Sequence, residues 1–155
     1  MNSSRSILTM LVLLLAGIGW NCGDKDDGPT DPGSSVPTQL VGTWLYQSVT
    51  VNGVPTSLAL ALQWQQGTES AQFTVSGAGS FLYEELDADQ NVNWFESGTI
   101  AVDGNDATIL VTSDSEGQVD PPDSLSGTWH LEGDILSLSV DYQGATFVFY
   151  TIKIS

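Results

Sequence analysis

The side chains able to do chemistry in this chain are few in kind. Of its 155 residues, one is a histidine, His130, and one a cysteine, Cys22. A zinc site draws three or four ligands from Cys, His and carboxylates, and a nucleophilic triad needs a base held beside its nucleophile. A single histidine and a single cysteine far from it in sequence supply neither. His130 also stands between Trp129 and Leu131, and strand alternation turns it away from those apolar neighbours, towards solvent. No catalytic centre, metal or cofactor is expected, and the chain reads as a non-enzyme.

The carboxylates are the remaining reactive stock. There are 19 Asp and Glu against three Lys and Arg, for a formal charge of −16. Paired acids stay arithmetically open, because Glu84, Glu85 and Glu96 all fall in β-patterned runs. Glu96 shares strand parity with Val92, Trp94, Ile100 and Val102. That parity aims it at the interior, where a carboxylate can hold the polar head of a ligand; the alternative is a rim position in water. A buried carboxylate is costly unless it is hydrogen-bonded or its pKa rises. Asp87 to Asn93 sets oxygen side chains at alternate places as a calcium loop does. It lacks the glycine at the sixth place, and Gly98 stands where a bidentate Glu is required, so it reads as an acidic hairpin turn.

The same charge balance excludes partners. Beyond Cys22 the basic residues are Lys25 and Lys153 alone. Nucleic-acid binding depends on Lys and Arg displacing counterions from phosphates, and docking on anionic lipid needs a basic surface. Neither is available here.

The elements that must position Glu96 are short β-patterned runs between turn residues. They are read at 44–51, 58–64, 71–75, 80–86, 92–102, 107–112, 125–131, 135–142 and 145–154. Asn52-Gly53 is a strong hairpin dipeptide. Leu58, Leu60, Leu62 and Trp64 alternate with smaller or polar residues as a strand would, although Leu and Ala also favour a short helix. Asp114 to Ser124, with Pro121-Pro122, reads as a longer loop that flanks an opening or meets a partner. About nine strands joined by hairpins make an all-β antiparallel meander. An up-and-down β-barrel of about eight strands hides its edges most completely, and a two-sheet sandwich is the alternative.

Ahead of this body, Met1 to Asn21 has a polar start with Arg5 and an apolar run from Ile7 to Ile18. The run is shorter than the ~20 residues that cross a bilayer as a helix, so residues 1–21 read as a secretory signal. Residues 22–39 are rich in Asp, Pro, Gly, Ser and Thr and read as a flexible tether. Such a coil spans roughly 20–25 Å. Residues 40–155 are then a single domain.

The join of leader and Cys22 resembles the bacterial lipoprotein signal, which implies a lipid on the Cys22 sulfur and a membrane anchor. The alternative is an ordinary secretory cut near Gly19 that leaves Cys22 as an unpaired thiol. Gly23-Asp24-Lys25-Asp26-Asp27 resembles the acidic tag that sends some bacterial lipoproteins to the cell surface; a plain solvated tether is its rival. The resemblance implies an exported chain anchored in the cell envelope, at the outer membrane, with surface exposure if the tag is read.

Gly42-Thr43-Trp44 falls where lipocalins carry Gly-X-Trp at the start of their first strand, and Gly127-Thr128-Trp129 repeats the triplet. With Leu40 to Gly53 and Ser126 to Leu138, these segments resemble bacterial lipocalin-like lipoproteins. The resemblance implies that Trp44 plugs the closed end of a barrel. It also implies a basic side chain from the last strand over the Trp44 ring. Lys153 is the one basic residue of the domain and so the candidate; its alternative is a solvated edge charge. The expected interior, lined by Trp64, Phe73, Trp94, Glu96 and Tyr142, would take a small hydrophobic ligand. The rival is a filled barrel serving as a structural lipoprotein that meets another envelope protein.

Overall fold

The computed structural model describes residues 36–155; Cys22, the leader and most of the tether lie outside the described residues. The elements in chain order are β1 (Gly42–Val51), β2 (Val54–Thr56), α1 (Leu58–Ala61), β3 (Ser70–Val75) and β4 (Ser80–Leu86). They continue with β5 (Val92–Asp103), β6 (Asp106–Asp114), β7 (Gly117–Glu132), β8 (Ile135–Tyr142) and β9 (Ala145–Lys153). The strands form one antiparallel sheet in the order β2-β1-β3-β4-β5-β6-β7-β8-β9, and β1 also pairs with β9. That last ladder closes a barrel of eight strands, with β2 as a short flap on β1, so the closed barrel holds and the sandwich does not.

Alternation drives the wall. In β3 the residues Ala71, Phe73 and Val75 are buried, as are Phe81, Tyr83 and Glu85 in β4 and Trp94, Glu96 and Val102 in β5. Ladder partners share a face, so Trp44, Phe73, Tyr83, Glu96 and Asp114 make one inward row across five strands. Asn52 and Gly53, with φ of 50° and 79°, form the two-residue turn that the Asn-Gly dipeptide forecast, and Val51 faces Val54 across it.

One end is sealed. Trp44 is 1% exposed and donates its Nε1–H to the Leu40 carbonyl at 3.0 Å. Lys153 lies opposite it in the β1–β9 ladder and holds its Nζ 5.5 Å from the Trp44 ring centroid. Trp129, from the second Gly-Thr-Trp triplet, is buried in the same core cluster and donates to the Gly104 carbonyl at 3.1 Å. Gly42 has φ +138°, and a Cβ there would meet the Ser155 carbonyl oxygen at 2.2 Å and Lys153 Cε at 2.6 Å. The glycine of the triplet therefore leaves room beside β1 for the Ser155 carbonyl and the Lys153 stem.

Three expectations need correction. Residues 58–64 are not a strand: Leu58–Ala61 is a helical turn, capped by Ser57, whose Oγ accepts from the Leu60 N–H at 3.2 Å. The apolar side chains follow the helical period, with Leu58, Ala61 and Leu62 turned inward while Leu60 is 71% exposed. The expected loop 114–124 is largely strand. β7 begins at Gly117, and the ladder with β6 slips between the Val111–Asp123 and Ser113–Gln118 pairs. Pro121 and Pro122 fall in that interruption, where a missing N–H costs no ladder bond. Finally, the folded body begins ahead of Leu40, since Val36 is 4% exposed and belongs to the core.

Candidate functional site: an apolar cavity in the barrel

Beside α1 the barrel holds a partly open cavity of about 130 Å³. Its wall is almost wholly apolar. Strands β6 to β9 supply Ile109, Val111, Leu138, Val140 and Phe149, and Leu62 covers it from the end of α1. This volume is close to the ~150 Å³ at which an apolar cavity stays dry and takes up a benzene-sized guest. It is smaller than the ~300 Å³ at which drug-sized pockets begin.

The polar part of the lining comes from several elements: Tyr46, Tyr83, Glu96, Thr128 and Tyr142 border the space from the strands, and Gln63 from the segment after α1. Tyr46 is the hub of an aromatic cluster, with ring centroids 5.5 Å from Phe73, 6.0 Å from Tyr83 and 5.7 Å from Phe149. Burial pushes the Tyr46 hydroxyl well above the usual phenol range, and the nearby Glu96 charge pushes it further. Tyr83 shifts the same way, first through burial and then through Glu85. Both phenols are therefore neutral at ordinary pH.

Glu96 is 4% exposed and sits inside, where strand parity aimed it. Across the β5–β6 ladder it faces Asp114, also 4% exposed. Asp114 Oδ1 accepts from the Glu116 N–H at 2.8 Å and the Gly117 N–H at 3.1 Å, so it shapes the β6–β7 turn. Its Oδ2 is buried with no hydrogen-bond partner among the described residues.

Glu85 is a third buried acid and has a visible task. Its Oε2 accepts from the Gln65 N–H at 2.8 Å and the Thr68 hydroxyl at 2.9 Å, while Oε1 accepts from the Tyr83 hydroxyl at 3.2 Å. These bonds pin the α1–β3 connection, which carries Trp64, to the barrel wall. Burial raises the Glu85 pKa above its ordinary value, against the lowering effect of the three hydrogen bonds. Glu84 points the other way and accepts from Gln72 Nε2 at 2.9 Å, so the adjacent acids do not form a catalytic pair.

Of the residues read from sequence as the lining, Glu96 and Tyr142 border the cavity. Phe73 and Trp94 are buried and Trp64 packs against the core, but these three fill the space around the cavity instead of bordering it. The indole N–H groups of Trp64 and Trp94 are buried without a hydrogen-bond partner among the described residues. The sequence reading missed Tyr46, Tyr83 and Phe149. Their signal was available, because Tyr46 shares parity with Trp44, Tyr83 with Phe81, and Phe149 with Phe147.

Other candidates lie elsewhere. His130 is exposed on the outer face. Asp87 serves its own turn: its Oδ1 accepts from the Asp89 N–H at 2.9 Å and the Asn91 N–H at 2.8 Å, and these bonds hold its pKa below the usual value. Among the described residues no group of three or more His, Cys, Asp or Glu is placed to hold a metal ion.

No family model matches the chain, and no curated protein matches it. Among solved structures, As-p18, described as an extracellular fatty acid binding protein, is similar to it over 78% of this chain and 100% of its own, at 16% identity and a TM-score of 0.44.

Proposed function

We propose that the chain is an exported, lipid-anchored binding protein of the bacterial cell envelope, whose lipocalin-like barrel holds a small hydrophobic molecule. The observation that carries the binding part is the apolar cavity of about 130 Å³ inside the barrel, whose wall includes a few polar groups, Glu96, Tyr46 and Tyr83 among them. Apolar walls supply affinity, and a few convergent polar groups supply orientation. The size points to a ring or a short chain. The anchoring part rests on the leader and Cys22: residues 1–21 are the signal, and the lipidated tether runs from Cys22 to the folded body, which begins by Val36. The outer membrane is its place, with the acidic residues after Cys22 favouring the cell surface. No reaction is assigned, because the cavity holds carboxyl and phenol groups without a nucleophile and base pair.

The modest volume favours one rival, a filled barrel that serves as a structural lipoprotein and meets another envelope protein through its acidic loops. A thermal shift separates the two. A guest that binds only the native state raises the Tm, and the rise grows with the logarithm of its concentration above Kd. Toluene is expected to raise the Tm of the full chain, and Val140→Trp, which fills the cavity, is expected to abolish the rise. If toluene produces no rise in the unsubstituted protein, the filled scaffold is the better account.

A further inference from the structure

The cavity carries a charge signature that narrows what it can accept. Glu96 is its charged lining residue. Asp114 and Glu85 do not border the cavity themselves, but Asp114 pairs with Glu96 across the β5–β6 ladder and has a buried carboxylate oxygen with no hydrogen-bond partner among the described residues, and Glu85 is a third buried acid on the neighbouring strand. Against these, residues 36–155 contain one Lys or Arg, Lys153, and it lies over Trp44, which does not border the cavity.

Two ligand heads can be compared on this background. A carboxylate placed beside Glu96 meets another carboxyl group and no cation. If Glu96 is ionised the two charges repel; if it is protonated, the ligand charge is still taken out of water without a countercharge. An ammonium group does the reverse. It offers up to three N–H donors to carboxylate oxygens, and such charge-assisted bonds are stronger than neutral ones. The rings of Tyr46 and Tyr83, which also line the space, add faces that attract a cation. The unpartnered indole N–H groups of Trp64 and Trp94 would suit an anion, but neither residue borders the cavity.

We infer that the barrel accepts a small apolar amine, its cationic head held at Glu96, in preference to a carboxylate of equal size. This rests on the reading of the barrel as a ligand cavity and names the ligand class for it.

Three probes of matched size decide the point: benzylamine, benzyl alcohol and benzoate, each titrated calorimetrically into the full chain near neutral pH. Benzylamine is expected to bind about tenfold or more tighter than benzyl alcohol, as a hydrogen bond to a charged group implies, with benzoate the weakest of the three. In Glu96→Gln the preference for the amine over the alcohol is expected to shrink to about threefold or less, because the ionic part of the contact is gone. The comparison in the unsubstituted protein stands on its own should that variant fold poorly. Benzoate binding as tightly as benzylamine, or a folded Glu96→Gln that keeps the full preference, overturns the head-group inference and leaves the cavity reading intact. Binding by none of the three overturns both.

Discussion

Lys153 lies across the β1–β9 ladder from Trp44, with its ammonium 5.5 Å from the indole centroid. The exposed lysine lies over a tryptophan that is 1% exposed, so the contact adds to a stabilisation that is mainly burial. Trp44→Ala is expected to cost about 3–5 kcal/mol, as emptying a large buried aromatic site does. Lys153→Met should cost about 0.5–1 kcal/mol, the range for a cation over a ring at an exposed site. Urea unfolding of both variants checks this, and a loss below about 1 kcal/mol for Trp44→Ala would deny it the role of plug.

Gly42 is expected to be intolerant of even one added carbon. Its φ of +138° disfavours any side chain, and the Cβ would collide with the Ser155 carbonyl and the Lys153 stem. Gly42→Ala should lose about 1–3 kcal/mol. Gly117→Ala is the control, having similar φ (+136°) but nothing near the added carbon. Equal losses in the two variants would mean that backbone conformation alone matters at Gly42.

The raised Glu85 pKa fixes the sign of a pH effect. Burial favours the protonated form in the folded state, so this group's contribution to stability is full below its ordinary value of 4.5 and is lost as pH rises through the higher folded value. Glu85→Gln cannot ionise. Relative to the unsubstituted protein, its stability is expected to improve as pH is raised from about 4 through that window. Denaturant midpoints measured across pH test this, and a relative decline of the Gln variant over the same range would contradict the shift.

Cys22→Ser is expected to move the protein from the membrane fraction to the soluble one when the chain is expressed with its leader, because a serine cannot carry the thioether-linked lipid. Fractionation followed by a high-salt wash gives the answer. A Ser variant that stays with the membrane through the wash would rule out the lipid anchor.

Much of the wall was legible because buried strands alternate, and β3, β4, β5 and β8 begin and end close to where the pattern put them. Leu58 to Trp64 was ambiguous because its alternation is also compatible with a helical stripe; the exposure of Leu60 shows which period won. β2 was invisible, since Val54–Thr56 is too short for any period and contains Pro55. Pro121 and Pro122 suggested a loop, yet they sit in an interruption of a longer strand. At the site, parity pointed Glu96 inward, and the side chain is buried there instead of standing at the rim. Parity could not say that Phe73 and Trp94 fill volume while Tyr46 and Phe149 border it, because that distinction depends on how side chains from several strands meet. The task of Glu85 was hidden for a similar reason: its backbone partner, Gln65, lies in the α1–β3 connection.

The β1–β9 ladder has a consequence for how the chain reaches this state. From β3 to β9 each strand pairs with its sequence neighbour, so most of the wall can grow hairpin by hairpin with little loop-closure entropy to overcome. The pairing of Val49 with Phe149 instead joins the two ends of the domain and carries the largest such entropy cost. Until that ladder forms, β1 and β9 each present a free row of backbone donors and acceptors. The interval before their meeting is when this chain is most open to pairing with a second copy of itself, and when a slow or truncated β9 does the most harm.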